Sequence, residues 1–412
     1  MCMHRTIGLF VLLVLTPVFF AGAIHAGNGP QARTIVVSAP NRDYAEVPVS
    51  ITVAADSAFK GVSLRTAGSR ASVPCQFMQK GDTVRLTWIV RALKKGSSKS
   101  YRLEFMSAAP AEDRSGVRVE QGTKAVDVLI GGRLFTSYRF ADGPKPYCYP
   151  VIGPTGKMVT RSYPMKDVPD ESRDHKHHRS FWFTFGDVNG VDFWSESPKA
   201  GRIVHRKFEA LESGPIMGRI RSLNDWIAPN GTKVCEDVRE LRIYRTSAGR
   251  LMDFDVTIHA TEGPVTFGDT KEGMMGFRVA SSMDVDRDKG HIQNSRGETD
   301  RDAWGRPAEW CDYYGPVDGD VVGVAVMEHP SSFRHPTYWH VRTYGLFAAN
   351  PFGLNAFTKG KVRDGSHTIP AGGELRFRYR IFIHKGSTGK AGVAELFDAY
   401  RDPPKVTVKE PF

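Results

Sequence analysis

The sequence predicts an all-β protein in which a small N-terminal β-sandwich precedes a large antiparallel one. Three observations predict it. Gly and Pro are plentiful (41 and 25 of 412 residues), which interrupts the chain too often for long helices. Short β-branched and aromatic runs with period-two alternation recur along the chain. Helical periodicity is best in one short stretch, 392–400, near the end.

Residues 1–26 read as a secretory signal. His4 and Arg5 give a positive start, residues 7–20 are apolar apart from Thr16 and Pro17, and Ala21-Gly22-Ala23 offers small residues for cleavage. The apolar run is shorter than the roughly 20 residues of a spanning helix. The expected address is therefore secreted or periplasmic, with a mature N-terminus near residues 23–27. No later stretch reaches 18 consecutive apolar residues, so the expectation is a soluble chain and not an integral membrane protein.

Residues 33–107 form the first unit, read as a small immunoglobulin-like sandwich. Stretches 34–37, 47–53, 84–90 and 101–105 read as its strands, with Gly81-Asp82 at a turn. The segment 108–115, with Pro110, reads as a linker. Residues 116–385 form the large sandwich, with strands at 117–119, 125–130 and 134–138 and strong alternation at 234–244, 251–259, 321–327 and 375–384. This pattern is similar to the broad sandwiches of aldose mutarotases and polysaccharide lyases. Residues 386–412 read as a C-terminal helix and a tail that leaves the fold at Pro403-Pro404.

Four cysteines follow the signal: Cys75, Cys148, Cys235 and Cys311. One disulfide and buried free thiols are both open readings. The formal net charge of +11 favours acidic partners. Without a basic run or nucleic-acid motif, an anionic glycan fits better than nucleic acid.

Chemistry concentrates at residues 174–206. His175, His177, His178 and Arg179 precede the aromatic run 181–185, which contains Trp182. A turn with Asp187, Asn189 and Asp192 follows, then Trp194, Glu196, His205 and Arg206. This stretch resembles the signature of the PmoA-like family of secreted bacterial proteins, through residues 177–183, 186–194 and 201–206. Residues 146–150, 271–273, 335–336 and 350–352 match as well. The family label implies methane oxygenation, but a chain with no spanning segments points away from a membrane methane monooxygenase.

His175 and His177 form an HxH pair. In an extended segment it would aim two imidazoles to one side and suit a divalent metal, zinc or copper. A third ligand would come from Asp187, His205, Glu272, His335 or His340. The alternative is a solvated polar loop around Lys176. His178 and Arg179 beside Trp182 suit sugar recognition, because arginine offers paired donors and tryptophan an apolar plane. The alternative is an aromatic core strand whose histidine bonds to backbone.

A second centre is residues 334–352. Alternation places Tyr338, His340 and Arg342 on one face and Trp339 and Val341 on the other. His335 stands at a turn before Pro336. Glu272 is the candidate general base, or else a surface charge beside Lys271. Asn189 and His205 complete the expected substrate contacts.

The sequence therefore points to a carbohydrate-active enzyme acting on a sugar or glycoside by acid/base chemistry of hydrolase, lyase or epimerase type. His178 or His340 would be the acid, Glu272 the base, and Arg179 and Arg342 the orienting cations. A non-catalytic glycan-binding protein and a metal-dependent hydrolase or oxidase are the rival classes. The two motif regions are expected to wall one pocket.

Overall fold

The computed structural model describes Met1 and residues 32–55, 59–109, 113, 115–287 and 289–409. The expected signal segment lies outside the described residues. The protein is all-β, with a small sandwich followed by a large one.

The small sandwich has two sheets. One holds Tyr44–Ala54, Thr83–Leu93 and Cys75–Lys80; the other holds Arg33–Ser38, Gly61–Thr66, Ser98–Met106 and Lys405–Lys409. Alternation builds its core. Val84, Leu86, Trp88 and Val90 point inward from one strand and meet Ile35, Val37, Tyr101 and Leu103 from the other sheet.

The last strand corrects the expectation that the tail leaves the fold. After the helix Val393–Arg401, Pro403 and Pro404 redirect the chain, and Lys405–Lys409 pairs antiparallel with Arg33–Ser38, Ile35 opposite Val408. Val406 and Val408 alternate against the small core, so pairing covers an edge that would otherwise be open. The helix touches both units. Ala399 packs into the small core, while Val393, Phe397 and Tyr400 pack against Met217, Leu251 and Phe382 of the large one.

The large sandwich stacks two eight-stranded antiparallel sheets. The first runs, strand by strand, Tyr338–Val341, Leu346–Asn350, Gly273–Arg278, Phe181–Phe185, Tyr147–Val151, Arg133–Arg139, Ala125–Ile130 and Val117–Gln121. The second runs Arg202–Glu212, Met217–Ile227, Lys233–Tyr244, Gly249–His259, Glu374–Lys385, Asp320–Glu328, Trp310–Val317 and His291–Asn294. Phe181, Phe183, Phe185, Phe277, Trp339 and Phe347 face inward from the first sheet, against Trp226, Phe254, Phe377 and Ile381 of the second. Each such side chain contributes about 1.5–3 kcal/mol on burial. All five residues of Phe181–Phe185 are buried, because the outer face of this strand is covered too.

Between the sheets Asp237 is fully buried. It accepts from Asn224, from Trp226 Nε1 and twice from Arg239, so the buried charge is paired and hydrogen-bonded. Cys75, Cys148, Cys235 and Cys311 are free thiols. Among the described residues no helix is long and apolar enough to cross a membrane.

Candidate functional site

The outer face of the first large sheet carries a row of residues in direct register. His340 lies opposite Ala348, Ala348 opposite Gly276, Gly276 opposite Trp182, and Trp182 opposite Tyr147. With about 4.8 Å per strand, the His340 and Trp182 backbones stand about 14 Å apart. Two small residues form the floor between them. Gly276 is required there, since a Cβ would meet the Trp182 ring at 2.8 Å. Tyr147, Trp182, Trp194, Leu346 and Ala348 form a separate apolar cluster on this face, with Tyr344 against it.

The loop before Phe181–Phe185 folds over the row. Its histidines are not extended. His178 N donates to the His175 carbonyl in a tight turn, and His175 and Ser180 have positive φ (43° and 58°). Four rings stack as a column: Tyr344 on His175 (5.2 Å, 4°), His175 on His178 (4.8 Å, 3°), and His178 on Trp182 (5.3 Å, 15°). His177 stands edge-on to His178 at 4.5 Å and faces Trp194 at 6.1 Å.

This turn corrects the extended geometry expected of His175 and His177, whose rings meet edge-on at 5.7 Å. The extended HxH geometry is absent, and His175 Nδ1 is taken by Asp174 Oδ2 at 2.6 Å. The described residues contain no group of three or more His, Cys, Asp or Glu side chains placed to hold a metal.

The column is anchored from below. Asp174 Oδ1 accepts from Arg161 Nη1 and from Arg278 Nη2, the latter at 2.8 Å. Burial opposes the Asp174 charge, but His175, Arg278 and Arg161 hold its carboxyl far below the usual range. Arg278 Nη1 donates to His178 Nδ1 at 3.2 Å. Arginine only donates, so His178 carries its proton on Nε2. Burial, then His177 and Arg278, push the His178 imidazole well below its ordinary value, and the ring is neutral.

His340 is held in the opposite sense. Its Nδ1 donates to the Lys271 carbonyl at 2.7 Å, which leaves Nε2 as an acceptor. Burial lowers it to about 4. This corrects His340 as the acid: at neutral pH the ring has no proton to give on the free nitrogen. Glu272 lies within electrostatic range of His340, His177 and Tyr344. Its side chain is one-third exposed and contacts Lys271 Nζ. Arg342 sits over Trp304 (5.9 Å) and Tyr344 (5.6 Å), as alternation from His340 predicts, and has no acidic partner among the described residues.

Arg179 is engaged elsewhere. Arg179 and buried Lys145 both donate to Glu196, and Arg179 lies over Tyr147 at 5.5 Å. Burial lowers Lys145 to about 8 despite Glu196. Burial also lowers His177 to about 4, with Lys145 adding to it. Arg179, expected to clamp substrate, is held instead in a part-buried pair with Glu196. Trp182 is corrected as an open sugar platform, because it is 1% exposed and His178 covers it. Trp194 is buried as well, and Tyr344 is the partly exposed ring against the loop.

Three expected contacts lie apart from this cluster. Asn189 accepts from Thr266 N (2.7 Å) and donates to the Pro264 carbonyl, closing a loop at φ 52°. His205 meets Ser222 at 3.0 Å and packs on Phe140 and Phe208 beside the second sheet. His335 pairs with buried Glu328, which also accepts from Thr337 N. Tyr338 is on the correct face but stacks on Phe357 at 5.8 Å.

Sequence reasoning missed Arg161, Arg278, Lys145, Tyr344 and Trp304 as parts of the site. Arg278 was findable: it follows Gly276 by two on the same strand and shares its face. The others sit in loops and carried no periodic signal.

The family model described as "Family of unknown function (DUF6807)" matches residues 125–398. The chain belongs to this family. The match corrects the PmoA-like resemblance read from residues 174–206. The DUF6807 region spans the whole site and most of the large sandwich, beginning at its second strand. No curated protein matches the chain. Among solved structures, an alpha-mannosidase from Enterococcus faecalis V583 is 10% identical with a TM-score of 0.45, covering 92% of this chain and 46% of that one. The DUF6807 chain thus spans under half of that enzyme's length. A galactose mutarotase-like protein from Lactobacillus casei ATCC 334 is 10% identical with a TM-score of 0.29, covering 65% of this chain and all of that one.

Proposed function

We propose that the outer face of the Phe181–Phe185 sheet binds a sugar or glycoside and transfers a proton on it, in chemistry of hydrolase, lyase or epimerase type. One observation carries this reading: two neutral histidines of opposite tautomer flank a Gly276/Ala348 floor, with a carboxylate beside one of them. His178 offers an Nε2–H donor and His340 an Nε2 acceptor, which matches a hydroxyl-bearing ligand that both accepts and donates. Glu272 is the group to take a proton, and Arg342 and Tyr344 orient the ligand.

Burial of His177 and His340 favours a second reading. Both titrate near 4, so neither changes charge close to neutrality, as befits a non-catalytic glycan-binding face. Screening the full chain against mono- and oligosaccharides for binding and for product separates the two. Binding with product supports the first reading and binding alone the second. Absence of both across neutral and acidic sugars sinks the proposal.

A further inference from the structure

A cavity of about 560 Å³ lies on the other side of the molecule's second large sheet, where the small sandwich meets the large one. None of the residues of the candidate site lines it. Its volume falls within the roughly 300–1,000 Å³ of small-molecule sites, and domain boundaries are common places for them. Strands of the small unit form one wall, strands of the second large sheet the other, and the end of the helix Val393–Arg401 closes a side.

Cations outnumber acids in its lining. Arg85, Arg219, Arg242, Arg378 and Arg380 face Glu212, Glu240 and Asp253. The acids are already satisfied from within the wall: Arg380 donates twice to Asp253, and Arg219, Arg221 and Arg242 all donate to Glu240. Burial opposes the Glu240 charge, but these arginines hold its carboxyl down at about 2. Arg85 is left over. It is exposed on its strand and has no hydrogen-bond or ion-pair partner among the described residues.

Two polar groups in the same lining also lack partners. Tyr400 is 6% exposed, its ring lies under the Arg380 guanidinium at 4.3 Å, and its hydroxyl is buried without a hydrogen bond. Gln76 Oε1 is unpaired too, but its amide is packed on Gly214, where a Cβ would meet it, so it does not face the cavity. Groups of this kind cost stability unless something completes them. An unpaired cation and a hydroxyl at one cavity fit a ligand with an anionic group and hydroxyls.

We propose that this inter-sandwich cavity is a second ligand site, for a small hydroxylated organic anion of the sugar-acid type. Arg85 takes the anionic group and Tyr400 Oη donates to an oxygen. Ligand binding there clamps the small sandwich to the large one.

D-glucuronate titrated into the full chain by calorimetry, with D-glucose as the uncharged control, tests this. Expected are saturable glucuronate binding, at least tenfold tighter than glucose, and at least tenfold weakening in both Arg85→Gln and Tyr400→Phe. An His340→Asn chain keeps the affinity, which separates this site from the one proposed above. Tyr400→Phe leaves the unliganded thermal midpoint equal or higher, since it removes an unpaired hydroxyl, so loss of binding there is not a folding defect. No saturable glucuronate binding, equal affinity for glucose, or affinity unchanged in Arg85→Gln and Tyr400→Phe overturns the proposal.

Discussion

Arg278 donates to His178 Nδ1, whereas His340 donates from its own Nδ1 to the Lys271 carbonyl. The same ring atom is thus an acceptor in one histidine and a donor in the other. The free Nε2 atoms are left as a donor and an acceptor on one sheet face. His178 has no freedom to exchange roles, because its partner is an arginine that cannot accept.

Asparagine at 340 separates function from folding. In His340→Asn the amide nitrogen keeps the bond to the Lys271 carbonyl, while the Nε2 acceptor is lost. Turnover is expected to fall by about 10²–10⁴-fold, or glycan affinity by at least tenfold if the face only binds. The thermal midpoint should shift by no more than a few degrees. Full activity in this variant would remove His340 from the site.

Acid should reveal the buried His340. Its folded value of about 4 lies below the unfolded value near 6.5. Between these the unfolded chain binds the proton and the folded chain does not. The stability it contributes is present above about pH 6.5 and is lost as pH falls through 4, on the order of 3 kcal/mol in all. Urea unfolding of the parent and of His340→Asn should therefore give a stability difference that shrinks steadily from pH 6.5 to 4. A constant difference would show that the ring titrates normally.

Asp284 works with the opposite sign. Burial raises its carboxyl to about 7, with Arg278 and Arg287 pulling the other way, and its Oδ1 is buried without a hydrogen bond. Gly345 makes room for that oxygen, since a Cβ there would meet it at 2.5 Å. A raised folded value means stability present below pH 3.8 and lost as pH rises through 7. Asp284→Asn should match the parent near pH 4 and exceed it by on the order of 1–3 kcal/mol at pH 8. A variant less stable than the parent at pH 8 would contradict this.

Asp237 tests the core. Removing it strands the Arg239 guanidinium and the Trp226 and Asn224 donors between the sheets. Asp237→Ala is expected to cost about 3–5 kcal/mol, read by chemical denaturation. A loss under 1 kcal/mol would mean that water replaces the carboxylate.

Much of the fold was legible because β alternation is local. The strand Thr83–Leu93 buries every second residue over Val84, Leu86, Trp88 and Val90, and Tyr338–Val341 sends Trp339 and Val341 inward as its spacing requires. Those patterns need no partner to be read. The tail was misread because Val406 and Val408 are too short a run to announce a strand without the edge of Arg33–Ser38 to pair with.

Residue order alone shows which residue types crowd together at 174–182 and which face of residues 338–342 carries His340. Tertiary structure decided what those residues are. Positive φ at His175 and Ser180 breaks the extended geometry and stacks the imidazoles into a column. The tautomers of His178 and His340 come from Arg278 and Lys271, 100 and 69 positions away along the chain. The floor between them exists because Gly276 and Ala348 fall into one register row. Periodicity is written along the chain, but register, burial and hydrogen-bond partners are set by which strands meet, and only the folded sheet fixes that.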